Sequence, residues 1–157
     1  MSREIEIKLT AQGKKLMKEL KKLEQLEVCA GFQHGAACED DGTDICDIAA
    51  RNEFGTENIP SRPFIRDAVD NKSNGVGEAL QQQLTALING ESTVEVVCNT
   101  AGVAMKSAIQ KEIKNGTFEP NAPSTIRKKG SSKPLIDTGR MRQSVQYVVR
   151  EKGSGSE

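Results

Sequence analysis

A proline- and glycine-bearing run in the first half of the chain constrains the fold more than any other segment. It covers residues 53–66 and reads E-F-G-T-E-N-I-P-S-R-P-F-I-R. Gly55 can adopt a positive φ, and Pro60 and Pro63 each fix φ near about −65°. Arg62 precedes a proline and is therefore biased towards extended backbone. These restrictions predict a stiff, bent connector that aims a helix starting at Pro63.

A second run, at residues 134–144, has the pattern of a helix start. Its sequence is P-L-I-D-T-G-R-M-R-Q-S. Asp137 or Thr138 can accept a hydrogen bond from the free N–H groups of a first helical turn. Leu135 and Ile136 stand just before that cap, where a hydrophobic staple would lie. Both runs therefore position other parts of the chain, and neither has the composition of a catalytic cluster.

Hydrophobic periodicity predicts an α+β fold in a single domain covering residues 1–152, with a small antiparallel sheet packed by several helices. Alternating apolar residues predict two N-terminal strands and a C-terminal strand that joins them. Residues 117–133 are expected to be a loop, and residues 153–157 a disordered tail. The expected strands are 3–8, 27–33 and 145–150, and the expected helices are 11–27, 44–51, 63–69, 76–89 and 93–115, with a further one from Thr138.

Length and composition exclude several classes of function. The chain has 157 residues, with 22 basic and 22 acidic side chains that cancel. A neutral molecule does not bind nucleic acid or an anionic membrane through its overall charge, so any such contact must be local. Four Phe, one Tyr and no Trp argue against stacking platforms for single-stranded nucleic acid. No apolar stretch reaches the roughly 20 residues of a spanning helix, so we expect synthesis and retention in the cytoplasm.

The two runs, with the segments between them, resemble the neck or tail-completion proteins of tailed bacteriophages and prophages. The resemblance covers residues 44–149. It comprises a short helix ending in E-F-G-T, an I-P-S-R-P-F element, a long helical middle, a P-S-T-I-R-K-K-G segment at residues 123–130, and the closing P-L-I-D-T-G-R-M-R-Q-S. These elements occur in the family order.

The resemblance implies a structural virion protein without enzymatic activity or cofactor. Such a protein forms a ring at the head–tail junction and completes or joins the tail. Its expected partners are other copies of itself, connector or head-closure proteins, and tail-terminator or tail-tube proteins. It would be made in the host cytoplasm and reside in the virion. A tail terminator, which caps the tail tube, is the alternative within the same class.

The two runs supply the residues expected at subunit or partner contacts. One functional interpretation of Arg62 and Arg66, four residues apart, is an intersubunit ion pair, and the alternative is a pair of surface arginines. Phe64 is also expected to belong to the core, with Phe54 packed nearby. The full expected contact set is Phe54, Arg62, Pro63, Phe64, Arg66, Asp137, Thr138 and Arg140.

The densest positive stretch contains Arg127, Lys128, Lys129 and Lys133. It could contact DNA passing through a lumen or an acidic partner protein. The alternative is a solvated loop whose charge serves solubility.

A different class of function rests on the cysteines. Cys29, Cys38 and Cys46 lie near His34, the single histidine, and could form part of a metal site or a cysteine–histidine pair. Their spacing lacks the close ligand pairs of zinc sites, so a small metal-binding or cysteine-dependent protein is the more distant alternative. No metal is expected.

Overall fold

The computed structural model describes residues 8–71 and 75–155. It confirms the α+β class, with a small antiparallel sheet packed by helices in one unit. The elements are α1 (Ala11–Gln25), β1 (Leu26–Gly31), α2 (Ile45–Phe54), α3 (Phe64–Asp70), α4 (Val76–Ile88), α5 (Val94–Asn115), α6 (Pro123–Lys129), α7 (Arg140–Gln143) and β2 (Gln146–Glu151).

The described sheet joins the second and the last of the expected strands. β1 runs antiparallel to β2, with Leu26 opposite Glu151 and Gly31 opposite Gln146. The strand expected at residues 3–8 lies outside the described residues, apart from Lys8, which is not in a strand. The closing strand therefore returns to the first third of the chain, as the alternating pattern predicted.

Helix α5 is the centre of the fold. It packs against both strands and against α3 and α4. Its side chains enter two apolar clusters, one built around Phe64 and Ile109 and one built around Val94 and Val97. Gly102 on α5 lies under the ring of Tyr147, where a Cβ would overlap it. The small residues of α5 therefore allow the sheet to approach the helix closely.

Three helices begin at a side-chain cap. The side chain of Thr10 accepts from the N–H of Gly13 at 3.1 Å, and that of Asp44 accepts from Cys46 at 2.8 Å. Thr93 accepts from the N–H of Val96 at 3.5 Å. Each cap satisfies an amide that the first helical turn leaves free, so these three starts are fixed locally.

One local expectation is wrong. Residues 117–133 are not a loop throughout, because α6 forms within them. Pro123 stands in the first turn, where its missing N–H is harmless, and Gly130 ends the helix at a φ of 70°. Just after β2, the side chain of Ser154 donates to the carbonyl of Glu151 at 2.6 Å.

Among the residues that the structure describes, no helix has both the length and the apolar character needed to cross a bilayer.

Candidate partner-binding groove

Within the connector, residues 53–66, the carboxylate of Glu53 near the end of α2 holds the first turn of α3. This side chain is only 5% exposed. Its two oxygens accept from the N–H groups of Ile65 at 2.8 Å and Arg66 at 3.2 Å, in the first turn of α3. Pro63, at the cap position of α3, provides no capping side chain. Glu53 therefore caps a helix that follows it by a full loop, which fixes the angle between α2 and α3.

The backbone of the connector folds back on itself. The N–H of Arg62 donates to the carbonyl of Asn52 at 2.6 Å, and Thr56 donates to Ile59 at 2.8 Å. Gly55 has a φ of 75°, and a Cβ there would lie 2.9 Å from the backbone nitrogen of Ser61. The glycine is thus required by both its conformation and the closeness of the returning chain.

Arg62 joins the connector to the segment before α6. Its side chain, 5% exposed, donates to the carbonyls of Glu119 and Pro120 at 2.8 and 3.2 Å. It also donates to the side-chain oxygens of Asn52 and Asn121 at 3.2 and 3.3 Å. All four acceptors are neutral, and burial lowers the pKa of the guanidinium. The planar fork of arginine fits this set of acceptors, whereas a lysine would lose most of them.

Asn121 continues the connection to the second run. Its side-chain nitrogen donates to the carbonyl of Lys133 at 3.3 Å. Just beyond, Leu135 is buried and has a φ of 61°, an unusual conformation for a residue other than glycine. The polar chain of Glu53, Arg62 and Asn121 therefore holds three segments together that lie far apart in sequence.

The start of α7 is fixed by a charged cluster. The hydroxyl of Thr138 accepts from the N–H of Arg140 at 3.3 Å and donates to Glu39 at 3.2 Å. The guanidinium of Arg140 lies 2.7 Å from Asp40 and 3.4 Å from Glu39. The bond to Asp40 raises the pKa of Arg140. The expected helix start at Thr138 is wrong, because α7 begins at Arg140 with Gly139 at the N-cap position and no side-chain cap there. Thr138 accepts from the first N–H of the helix, and Asp137 remains exposed on the surface.

These segments enclose an open groove of about 550 Å³, which we call the motif groove. Its floor includes the buried side chains of Leu135 and Met141. The remaining lining residues are Glu39, Asp40, Asp41, Ile48, Asn52, Asn58, Ile59, Pro60, Arg62, Asn121, Ala122, Thr125, Lys128, Lys129, Asp137, Thr138 and Gly139. A cleft of this size is in the range of protein binding sites.

The wall of the motif groove carries charges of both signs. Asp41 and Asp137 are acidic, and Lys128 and Lys129 of α6 are basic; none of the four forms an ion pair with another described residue. Bonds from Thr43 lower the pKa of Asp41, and the charge of Lys128 adds to this effect. The groove can therefore hold a segment with apolar and charged side chains.

The residues expected at contacts separate into an inner and an outer set. Phe64 is fully buried in the core as expected, and Arg62 is internal, which corrects its interpretation as a surface or intersubunit residue. Phe54 is 74% exposed, so the expectation that it packs beside Phe64 is wrong. At about 100° per residue, Phe54 lies about 180° from Ile45 and about 140° from Ala49, which are the buried apolar residues of α2. The outer set comprises Phe54, Arg66, Asp137 and Thr138, which are exposed, with Pro63 and Arg140 partly so.

The four basic residues also occupy two kinds of position. Lys128 and Lys129 line the motif groove. Arg127 and Lys133 are exposed without lining it. The first pair faces a wall that includes carboxylates, which would oppose a phosphate chain at the same place. Arg127 and Lys133 are accessible to either DNA or an acidic protein.

The cysteines are spread over several environments. Cys98 is buried in the core, and burial raises its pKa and that of Cys46. His34 lies 3.1 Å from a carboxylate oxygen of Asp44, with no recorded bond to a cysteine in the described segments. Within those segments, no group of three or more histidine, cysteine or acidic side chains is arranged to hold a metal ion.

Comparisons with family models, curated proteins and solved structures find no match for this chain.

Proposed function

We propose that this chain is a structural virion protein of a tailed phage or prophage, which forms a ring at the head–tail junction and completes or joins the tail. One observation carries the proposal beyond the resemblance of the sequence motifs. The three segments that resemble the family meet in one place and together enclose the motif groove. Glu53, Arg62 and Asn121 hold them there through buried hydrogen bonds.

The residues in the segments that resemble the family determine the local shape of the chain. Glu53 sets a helix angle, Gly55 permits a tight return of the chain, and Arg62 connects two loops. A ring needs two different, complementary faces on each subunit, because a head-to-tail contact closes by rotation. The motif groove, whose wall includes Asp137 and Thr138, offers one face, and the other members of the outer set, Phe54, Pro63, Arg66 and Arg140, lie outside its lining.

The basic residues belong to the same proposal as contacts with an acidic partner or with DNA in the lumen. Arg127 and Lys133 are the candidates for DNA because both are exposed outside the groove. Lys128 and Lys129 suit a protein partner better, since carboxylates share their groove.

Deletion of the gene from the genome that encodes this chain tests the proposal. We expect induced cells to accumulate filled heads and separate tails, and expression of the chain in trans to restore joined particles. Electron micrographs of the lysates supply the counts. Normal yields of joined particles from the deletion would overturn the proposal. Tails of uncontrolled length would overturn it in favour of a tail-terminator role, because a cap sets where tube growth stops.

A further inference from the structure

One side of α1 carries lysines without an acidic residue, and we call this side the lysine face. At about 100° per residue, its lysines fall within an arc of about 120° around the helix axis. All of them are exposed, and among the described residues only Lys22 has an ion-pair partner, Glu95. The lysine face consists of Lys14, Lys15, Lys18, Lys21 and Lys22.

The two acidic residues of α1 lie outside this arc. Glu19 is about 40° beyond Lys15. Its carboxylate accepts from the N–H of Val94 at 3.1 Å, at the start of α5. Glu24 is exposed about 60° beyond the other edge of the arc and makes no ion pair with another described residue. Neither carboxylate of α1 therefore neutralises the lysine face.

The lysine face is unfavourable for the helix that carries it. Lys18 has lysines four residues away on both sides, Lys14 and Lys22, and like charges at this spacing destabilise a helix. The first turn of α1 contains no acidic residue, although negative charge there would favour the helix. A surface that serves solubility intersperses both signs of charge. Residues that break such local rules are typical of functional sites.

The opposite side of α1 is occupied by the core. Leu16 and Leu23 pack against the apolar cluster that contains Val94 and Val97. They lie about 140° to 160° from the centre of the lysine face. An amphipathic helix enters a membrane interface with its apolar side. Because Leu16 and Leu23 are committed to the core, the structure favours a partner in water over a membrane surface.

The density of positive charge on the lysine face is close to the charge density of duplex DNA. From Lys14 to Lys22 the helix rises about 12 Å, which gives about one lysine per 2.4 Å. A duplex carries one negative charge per about 1.7 Å of its axis. The cores of protein interfaces are instead depleted of charged residues. The phosphates of a duplex therefore fit this surface better than a protein partner does.

We propose that the lysine face of α1 binds the phosphates of duplex DNA, as a contact surface additional to Arg127 and Lys133. Helix α1 contains no aromatic residue and no arginine, so it lacks side chains that stack on bases or bind guanine through paired hydrogen bonds. Lysine binds phosphate as a point charge, so the contact is independent of base sequence. The inference rests on the proposed function, in which DNA passes through the neck, and it names a surface that the DNA meets.

Fluorescence anisotropy of the full chain with labelled duplexes of two unrelated sequences tests the contact. At about 50 mM salt, Lys14→Gln, Lys18→Gln and Lys21→Gln together should weaken binding to both duplexes at least about tenfold. The plot of log affinity against log salt concentration should become less steep by about 2 to 3, because three phosphate contacts are lost. An unchanged slope would overturn the inference.

The matched control removes the same charge elsewhere. Lys111→Gln, Lys114→Gln and Lys152→Gln together change exposed lysines outside the lysine face, and this variant should bind duplex within about twofold of the wild type. Equal losses in the two triple variants would overturn the inference, since they would show a response to net charge alone. So would a wild type that does not bind duplex DNA, or that binds anionic phospholipid vesicles or polyglutamate in preference to it.

Thermal unfolding separates binding from folding. Because the lysine-face variant loses like-charge repulsion within α1, it should unfold at the wild-type temperature or above it. A lower unfolding temperature would show that these lysines serve the fold and would overturn the inference.

The two proposals fail separately. Absence of duplex binding, with joining lost in the gene deletion, removes the lysine face and leaves the neck function. Weaker duplex binding by the lysine-face variant, with normal joining in the deletion, leaves the lysine face and removes the neck function.

Discussion

Individual buried polar side chains hold this fold together around the motif groove. Glu53 and Arg62 are each 5% exposed. Glu53 bonds to two backbone N–H groups, and Arg62 bonds to two backbone carbonyls and two side-chain oxygens. Such groups stabilise only while their partners remain, because a buried donor or acceptor without a partner keeps its full desolvation cost. The two side chains therefore act as joints between segments that have little regular structure of their own.

Glu53→Ala should lower the free energy of unfolding by about 1–3 kcal/mol. The substitution removes the acceptor for two amides of α3 and leaves them buried or poorly hydrated. Urea unfolding followed by circular dichroism measures the loss. The control is Glu57→Ala, at an exposed position in the connector, which should change stability by less than about 0.5 kcal/mol. Equal effects of the two substitutions would contradict the capping role.

Asp44 should make stability depend on pH in the acid range. The N–H of Gly35, then that of Cys46, bonds to its carboxylate and lowers its pKa in the folded state. Its contribution is present above the unfolded value of about 3.9 and is lost as pH falls through the lower folded value. Asp44→Asn cannot ionise, so its unfolding free energy should fall less steeply below about pH 4. Parallel pH curves for wild type and variant would refute this assignment.

At the scale of elements, two of the glycines inside helices, Gly77 and Gly102, have opposite roles. Gly102 of α5 lies against the ring of Tyr147, so Gly102→Ala should destabilise by about 1–3 kcal/mol through overpacking. Gly77 of α4 has no neighbouring atom within 4 Å of an added Cβ. Gly77→Ala should therefore stabilise by about 0.5–1 kcal/mol through helix propensity. Thermal unfolding of both variants checks the signs, and a stabilised Gly102→Ala would show that α5 does not support the sheet closely.

The elements that could be predicted from sequence are those fixed by local signals. Thr10, Asp44 and Thr93 cap helices within three residues of themselves, and apolar periodicity marks the buried stripe of α5. The sequence predicts a loop where α6 forms, because prolines and basic residues interrupt the short apolar pattern of this helix. Its start at Pro123 and its stop at Gly130 were available as signals.

The hydrogen bonds that hold the segments of the motif groove together could not be predicted in the same way. Arg62 and Asn121 meet only after the chain has folded, and nothing in their sequence neighbourhoods indicates the contact. The capping role of Glu53 also crosses a loop, so the usual spacing of a cap does not reveal it. Glu39 comes to Thr138 and Arg140 from a distant part of the chain and carries no motif. The sequence therefore does not reveal that residues 53–66 and 134–144 lie close together in the fold.

At the scale of the whole molecule, charge is balanced overall and concentrated locally. The chain has 22 positive and 22 negative side chains, yet Arg127, Lys128 and Lys129 form a continuous basic turn at the end of α6. Positive charge at the carboxyl end of a helix is compatible with stability. The stability of the fold therefore does not distinguish between the two interpretations of these basic residues. A solvated surface and a partner contact differ only in what they predict for assembly.

Replacing Arg127, Lys128 and Lys129 together by Gln should reduce head–tail joining while changing unfolding free energy little. Exposed charges contribute little to folding, but their attraction is repeated over every copy in a ring. Salt should reduce joining by the wild type in the same way, since the Debye length is about 8 Å at ~0.15 M. The control is Lys111, Lys114 and Lys152 to Gln, which are exposed outside α6. Wild-type joining by the α6 variant would assign these residues to solvated surface.

A density map of the neck in purified particles from the encoding genome tests the central claim most directly. The account predicts a rotationally symmetric ring at the head–tail junction into which this fold fits. Joined particles whose necks contain no density for this fold would contradict it.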